Sequence, residues 1–188
     1  ASSTDTLFVT APQSEIGNYS TSYIPTMGTA QTRAADSCSG GGSAESINSV
    51  EGVLFIDTAT LVNTQTTDNT ISVSDGGNNK ILLRYRNTNV VNLKVFVNGA
   101  AQAETNYTFT DATAYNKIAF KWKLNDYALY VNGTSVFTDT SALVFPANSL
   151  NVISFDDGGS TPFFGEVKGA QIYNTALTNA ELATLTTL

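Results

Sequence analysis

Seven of the nine basic residues fall between positions 80 and 123: Lys80, Arg84, Arg86, Lys94, Lys117, Lys121 and Lys123, opposed there only by Glu104 and Asp111. The whole chain nevertheless carries a net charge of −7. One basic zone on an acidic protein is a poor footprint for a nucleic-acid partner, and none is expected. With aromatic rings interleaved, such a zone suits a polyhydroxyl ligand instead. Rings stack on the ligand's C–H faces, while guanidinium and ammonium groups donate to hydroxyls or carboxylates. Phe96 and Tyr130 supply the rings, so the candidate binding set is Arg84, Arg86, Lys94, Phe96, Lys121, Lys123 and Tyr130.

Other chemistries are curtailed by what the chain lacks. It has no histidine, which removes Ser-His and Cys-His pairs and the commonest zinc ligand. Cys38, in SCSGGGS, is the single cysteine; it has no disulfide partner in the chain and reads as an inert loop thiol. Two oxygen-rich turns, DGGNN and DDGG, could offer calcium the side chains of Asp75, Asn78, Asp156 and Asp157. The same residue types are what tight turns need for backbone reasons, so both readings stand.

The elements that must position these residues are strands. Charged residues make up 13%, Thr, Ser, Asn and Gly abound, and short apolar runs alternate with turn signals from Ile47 onward. That pattern predicts an all-β sandwich of antiparallel sheets. No apolar run is long enough to span a membrane. In KIAFKWKLNDYALYVNG, a two-residue Asn125-Asp126 turn would pair Leu124 with Tyr127. Period-two alternation then puts Phe120, Trp122, Leu124, Tyr127, Leu129 and Val131 on the core face. Trp122 is thus expected to be structural, with a buried partner for its indole N–H. In the preceding hairpin, pairing Tyr85 with Leu93 keeps Ile81, Leu83, Tyr85, Leu93, Val95 and Val97 inward. It turns Arg84, Arg86, Lys94 and Phe96 outward and sets Arg84 opposite Lys94. If both hairpins belong to one sheet, their outer faces merge into a single basic strip; the plain alternative is a solvated sheet face. The chain ends in TNAELATL, where Thr178 and Glu181 form a capping box ahead of Leu182 and Leu185. A helix of about two turns cannot stand alone and must dock.

KIAFKWKLNDYALYVNGTSV and FFGEVKGAQIYNTALTNAEL together resemble the laminin-G-like branch of the concanavalin A-like lectin/glucanase superfamily, over about residues 46–188. The resemblance implies a jelly roll of two antiparallel sheets. TSYIPTMGTAQTRAAD, residues 21–36, resembles a segment of many bacteriophage tail and virion proteins. It implies that residues 1–45 are an N-terminal strand and linker, either left from an upstream module or recruited to the sandwich. A chain opening at Ala1 without Met is expected to be a processed or excised fragment. Glycosidases of the superfamily carry Glu-x-Asp-x-Glu or a close variant on one strand. Here Glu51 and Asp57 are too far apart, Glu166 has no acidic neighbour at i+2 or i+4, and Asp156 and Asp157 are adjacent. No catalytic residues are expected, and the protein is not expected to be an enzyme. The expectation is a non-catalytic, lectin-like domain of a virion surface or other extracellular protein, binding a polysaccharide or cell-surface glycan of acidic character. The alternative is an assembly domain, homo-oligomeric and without a glycan ligand.

Overall fold

The computed structural model describes residues 14, 23, 25, 27–29, 31 and 41–188. The expected N-terminal strand, Cys38 and most of the 21–36 segment lie outside the described residues. Contacts divide the chain into two units, Ala1–Ser37 and Cys38–Leu188. In the first, Met27 and Gly28 take positive φ at a turn, and Gln31 Nε2 donates to Thr29 Oγ1. The second carries the sandwich.

Ten strands and one helix follow in order: β1 (Glu51–Thr60), β2 (Thr64–Ser74), β3 (Lys80–Thr88), β4 (Val90–Val97), β5 (Ala100–Thr108), β6 (Asn116–Lys123), β7 (Tyr127–Val131), β8 (Thr134–Asp139), β9 (Val152–Ser154), β10 (Gly165–Tyr173) and α1 (Asn179–Thr186). They form two five-stranded sheets, a first ordered β10-β1-β6-β7-β8 and a second ordered β5-β4-β3-β2-β9. Every strand pairing is antiparallel. No helix among the described residues is long and apolar enough to cross a membrane. Two Asn-Gly pairs, Asn98-Gly99 and Asn132-Gly133, have positive φ at both positions. That backbone matches strand twist, and it closes β4–β5 and β7–β8 with two-residue loops.

Alternation puts every second side chain into the space between the sheets. Leu54, Ile56, Ile118, Phe120, Trp122, Tyr127, Leu129 and Val131 meet Ile71, Val73, Ile81, Leu83, Tyr85, Val91, Leu93 and Val95 in one buried cluster. Trp122 is fully buried, and its indole N–H donates to the Asn48 carbonyl at 3.0 Å. Its expected structural role holds. Tyr85, also buried, shares a 2.6 Å hydrogen bond with Thr58 Oγ1 across the sandwich, and burial pushes its hydroxyl far up from the usual pKa. The core sheet faces are therefore as the alternation predicts, with one exception. Leu124 is 56% exposed. The turn runs from Lys123 to Asp126, whose N–H donates to the Lys123 carbonyl, and Asn125 takes a φ of 57°. This four-residue turn shifts the register by two, so Lys121 faces Ala128 and Leu124 is carried into solvent.

The helix begins as its sequence dictates. Thr178 is the N-cap, and its side chain and that of Glu181 exchange hydrogen bonds with the opposite backbone groups. This capping box contributes about 1 kcal/mol. Leu182 then seats the helix on the outer face of the first sheet, over Val53, Phe55, Ala119, Ala128 and Tyr130.

Packing is tight behind Trp122. A Cβ on Gly52 would stand 2.4 Å from Trp122 Cζ2 and 2.7 Å from the Tyr173 carbonyl. Gly52→Ala is therefore expected to lower stability by about 1–3 kcal/mol, read as a lower urea midpoint in the fluorescence of the single tryptophan.

Candidate functional site

The two hairpins lie in different sheets, so the expected single basic strip does not form. Arg84, Arg86, Lys94 and Phe96 belong to β3 and β4 of the second sheet, whereas Lys121, Lys123 and Tyr130 belong to β6 and β7 of the first. The latter group is further separated by the helix. Tyr130 is 7% exposed beneath Leu182, and Lys121 is 3% exposed. The Lys121 ammonium is held by Asp126 at 2.7 Å and by Asn179 Oδ1 at 3.1 Å. Lys123 remains half-exposed and pairs with Glu51 at 3.1 Å. The alternation rule places side chains on a face but does not say which hairpins share a sheet.

The outer face of the second sheet gathers the other members into a hydrogen-bonded network. The β3–β4 turn is short, with Asn87 and Asn89 both in the left-handed region. Arg84 consequently faces Asn92, not Lys94, and Lys94 faces Leu82 and Glu104. The like-charge opposition expected from sequence is thus avoided. Arg84 donates Nε to Asn92 Oδ1 at 3.0 Å and lies 3.6 Å from Asp68 and 3.4 Å from Glu104. Arg86 clamps Asp68 in bidentate fashion, at 3.0 and 3.2 Å. Lys94 reaches Glu104 at 3.1 Å and stands 5.2 Å from the Phe96 ring centroid. The Asn92 amide is fully buried and donates to Asn106 Oδ1 at 2.8 Å and to the Thr105 carbonyl at 3.2 Å. The Lys94 ammonium, assisted by Asn92 and Arg84, holds the Glu104 carboxyl below its ordinary pKa.

Each cation on this face has a carboxylate, and the partners come partly from outside the basic zone of the sequence. Asp68 is on β2, and Asp157, which pairs with Lys80 at 2.7 Å, follows β9. Sequence reasoning therefore missed Asp68, Asn92, Glu104 and Asn106. The available signal was Asn92 itself, an amide at an outward position inside the apolar run VVNLKV. What results is a rigid array of donors and acceptors, with three cations (Arg84, Arg86, Lys94) set among two carboxylates (Asp68, Glu104).

Two of the four proposed calcium ligands, Asp75 and Asp157, have their side chains engaged otherwise. Asp75 Oδ1 accepts from the Gly77 and Asn79 N–H groups at 2.7 and 3.1 Å, and Oδ2 from Asn79 Nδ2 at 2.7 Å. Burial pushes this carboxyl up, but the bonds from Asn79 and Gly77 prevail and hold it below the ordinary value. Asp157 is neutralised by Lys80, the Asn78 carbonyl takes the Gly99 N–H, and the Asp156 carbonyl takes the Ser72 hydroxyl. Calcium wants six to eight oxygens. Asp75 and Asp157 are committed to these bonds, and the described residues bring no group of three His, Cys, Asp or Glu together for a metal.

Comparison with known proteins agrees with this architecture. The family model described as the concanavalin A-like lectin/glucanases superfamily matches residues 59–183, and the chain belongs to that superfamily. No curated protein matches the sequence. Among solved structures, the Ruminococcus gnavus IT-sialidase CBM40 bound to alpha2,3 sialyllactose superposes with a TM-score of 0.59 at 20% identity, covering 73% of this chain and 83% of that one. Domain 4 of AbnA, a GH43 extracellular arabinanase from Geobacillus stearothermophilus, in complex with arabinotriose, gives 0.59 at 15% identity, covering 77% and 70%. The native heptameric SAP-like pentraxin from Limulus polyphemus gives 0.60 at 11% identity, covering 79% and 74%. At these identities the likeness is one of fold.

The lowered Glu104 pKa has a sign that can be measured. Its contribution to stability is fully present above the unfolded value of 4.5 and is lost as pH falls through the lower folded value. Because Glu104 is 45% exposed, the effect is modest. Melting temperatures recorded from pH 6 down to about pH 2.5 are expected to fall less steeply below pH 4.5 in Glu104→Gln than in the parent protein.

Proposed function

We propose that the sandwich is a non-catalytic, lectin-like module that binds a glycan on the outer face of the second sheet. The observation that carries this reading is the buried Asn92 amide joined to Arg84, Glu104 and Asn106, with Asp68 linked to it through Arg84, on the face opposite the docked helix. Burying such groups is worthwhile only if all are satisfied, and here they are held in fixed directions at a partly open surface. A sugar presents hydroxyls that both donate and accept, and preorganised side chains of both kinds match them without reordering. Phe96, beside Lys94, gives the array an aromatic edge. Sialyllactose and arabinotriose complexes among the structural neighbours support the class of ligand.

Charge pairing shapes what the ligand meets. Three cations over two carboxylates leave one surplus positive charge, so an acidic sugar gains one ion pair and hydroxyl contacts supply the remainder. The extracellular or virion-surface setting suggested by residues 21–36 is part of the same proposal. A structural role has one observation in its favour: exposed Val50 and Leu124 line a shallow hollow beside Glu51 and Lys123, at the opposite sheet. Light scattering separates the two readings, since an assembly domain would be a stable oligomer that binds no glycan.

The binding reading is tested on a glycan array and then by calorimetry with the best ligand. Arg84→Ala and Asn92→Ala are expected to weaken binding at least tenfold, equivalent to about 1.4 kcal/mol, while Lys123→Glu leaves it unchanged. Raising salt tenfold is expected to cost less than about tenfold in affinity, as one surplus charge allows. Loss of binding in Lys123→Glu with Arg84→Ala unaffected would move the site to the first sheet.

A further inference from the structure

The outer face of the second sheet is closed on one side and open on the other. Alternation sends Thr70 and Ser72 of β2 outward, because Ile71 and Val73 fill the core. Outward side chains beside free solvent would be exposed, yet these two are 0% and 2% exposed. On the far side of the same face, Glu104 and Asn106 of β5 stand opposite Lys94 and Asn92 and are exposed. Something covers the β2 side that does not cover the β5 side.

That cover is the loop of residues 156–161, between β9 and β10. Three outward side chains hold it. The Ser72 hydroxyl donates to the Asp156 carbonyl at 2.6 Å, and the Lys80 ammonium to the Asp157 carboxylate at 2.7 Å. The hydroxyls of Thr70 and Thr161 lie 2.9 Å apart, one donating to the other. The loop backbone is fixed too: the Thr70 N–H donates to the Thr161 carbonyl at 2.9 Å, and Asp157 and Ser160 exchange backbone bonds at 2.8 and 3.2 Å. Held in this way, Thr161 takes a φ of 50°. A β-branched side chain is disfavoured in that left-handed region. Such strain persists only where the surroundings over-determine it, and it collects at ligand clamps. Thr70 pairs across the ladder with Arg84. The Thr161 hydroxyl is therefore set at the border of the Arg84–Asn92 network.

We propose that the 156–161 loop is an end wall of the glycan face and Thr161 a specificity-determining contact on it, a step that rests on the glycan-binding reading of that face. The ligand is then the terminal residue of a glycan chain, not an internal one. A sugar seated over Arg84 and Asn92 meets the wall on its β2 side, and the rest of its chain leaves over β5, past Glu104 and Asn106. A chain continuing in both directions would run into the wall. The Thr161 hydroxyl can both donate and accept. Its bond with Thr70 uses one of these capacities and leaves the other for a sugar hydroxyl at the closed end. Threonine in a strained backbone gives that hydroxyl one direction, which glycine, free of the strain, would lose.

The test uses the full chain on an array that displays the same sugars at chain ends and within chains, followed by calorimetry with the best-bound oligosaccharide. The wild type is expected to bind the terminal displays and to pass over the internal ones. Thr161→Gly is expected to lose about fivefold or more in affinity, while its melting temperature stays level or rises by about 1–3 °C. A residue that only supports the loop would not part the two readouts in this way. Equal binding of terminal and internal displays would overturn the end wall. Unchanged affinity in Thr161→Gly, or a fall in both affinity and melting temperature, would overturn the contact role of Thr161. In each of these cases, weakened binding in Arg84→Ala would leave the glycan reading of the face standing. A wild type that binds no glycan in either display would overturn that reading and the end wall together.

Discussion

The dry layer between the two sheets is the constraint on which the other features depend. Leu54, Ile56, Phe120, Trp122 and Leu129 on one side, and Ile81, Leu83, Tyr85, Leu93 and Val95 on the other, have essentially no solvent exposure. Strand side chains alternate, so burying this set forces the intervening residues outward whatever their chemistry. Arg84, Asn92 and Lys94 are on an outer face because Leu83, Leu93 and Val95 are in the core. The same rule places Asp57 outward between Ile56 and Thr58. A sheet can carry a polar network on its outer face only because its inner face already supplies the burial that stabilises the fold.

The outer faces then diverge. Helix α1 closes much of the first sheet with Leu182, turning Lys121 and Tyr130 into interior residues. Among the described residues no helix packs over β3 and β4 of the second sheet, and the polar residues there satisfy one another laterally. That difference makes one face a support and the other a surface that can read a ligand. It also explains why the strongly segregated charges of the sequence do not produce a strongly basic face: Asp68 and Asp157 come in from neighbouring segments to neutralise Arg86 and Lys80.

Much of the fold was legible in the residues. The strand-and-turn rhythm gave an all-β sandwich, and Thr178 with Glu181 gave the helix start, because each rests on local physics. The inward sets of β3, β4, β6 and β7 were readable for the same reason, as a register slip of two preserves the face. What a slip of two does change is the partner across the strand. Arg84 therefore met Asn92 instead of Lys94, and Leu124 left the core. Sheet membership was not readable at all. Nothing local says that β6 pairs with β1 while β3 pairs with β2, and the single basic strip failed on that long-range choice. The carboxylates that complete the network were missed because they are distant in sequence.

The most direct measurement of the central claim is the mapping of amide and side-chain chemical shifts in isotope-labelled protein during titration with a bound oligosaccharide. The account predicts perturbations centred on Asp68, Arg84, Asn92, Glu104 and Asn106, with the Trp122 indole signal unmoved. Perturbations confined to β6, β7 and the helix, or spread over the loops with Asn92 silent, would contradict it.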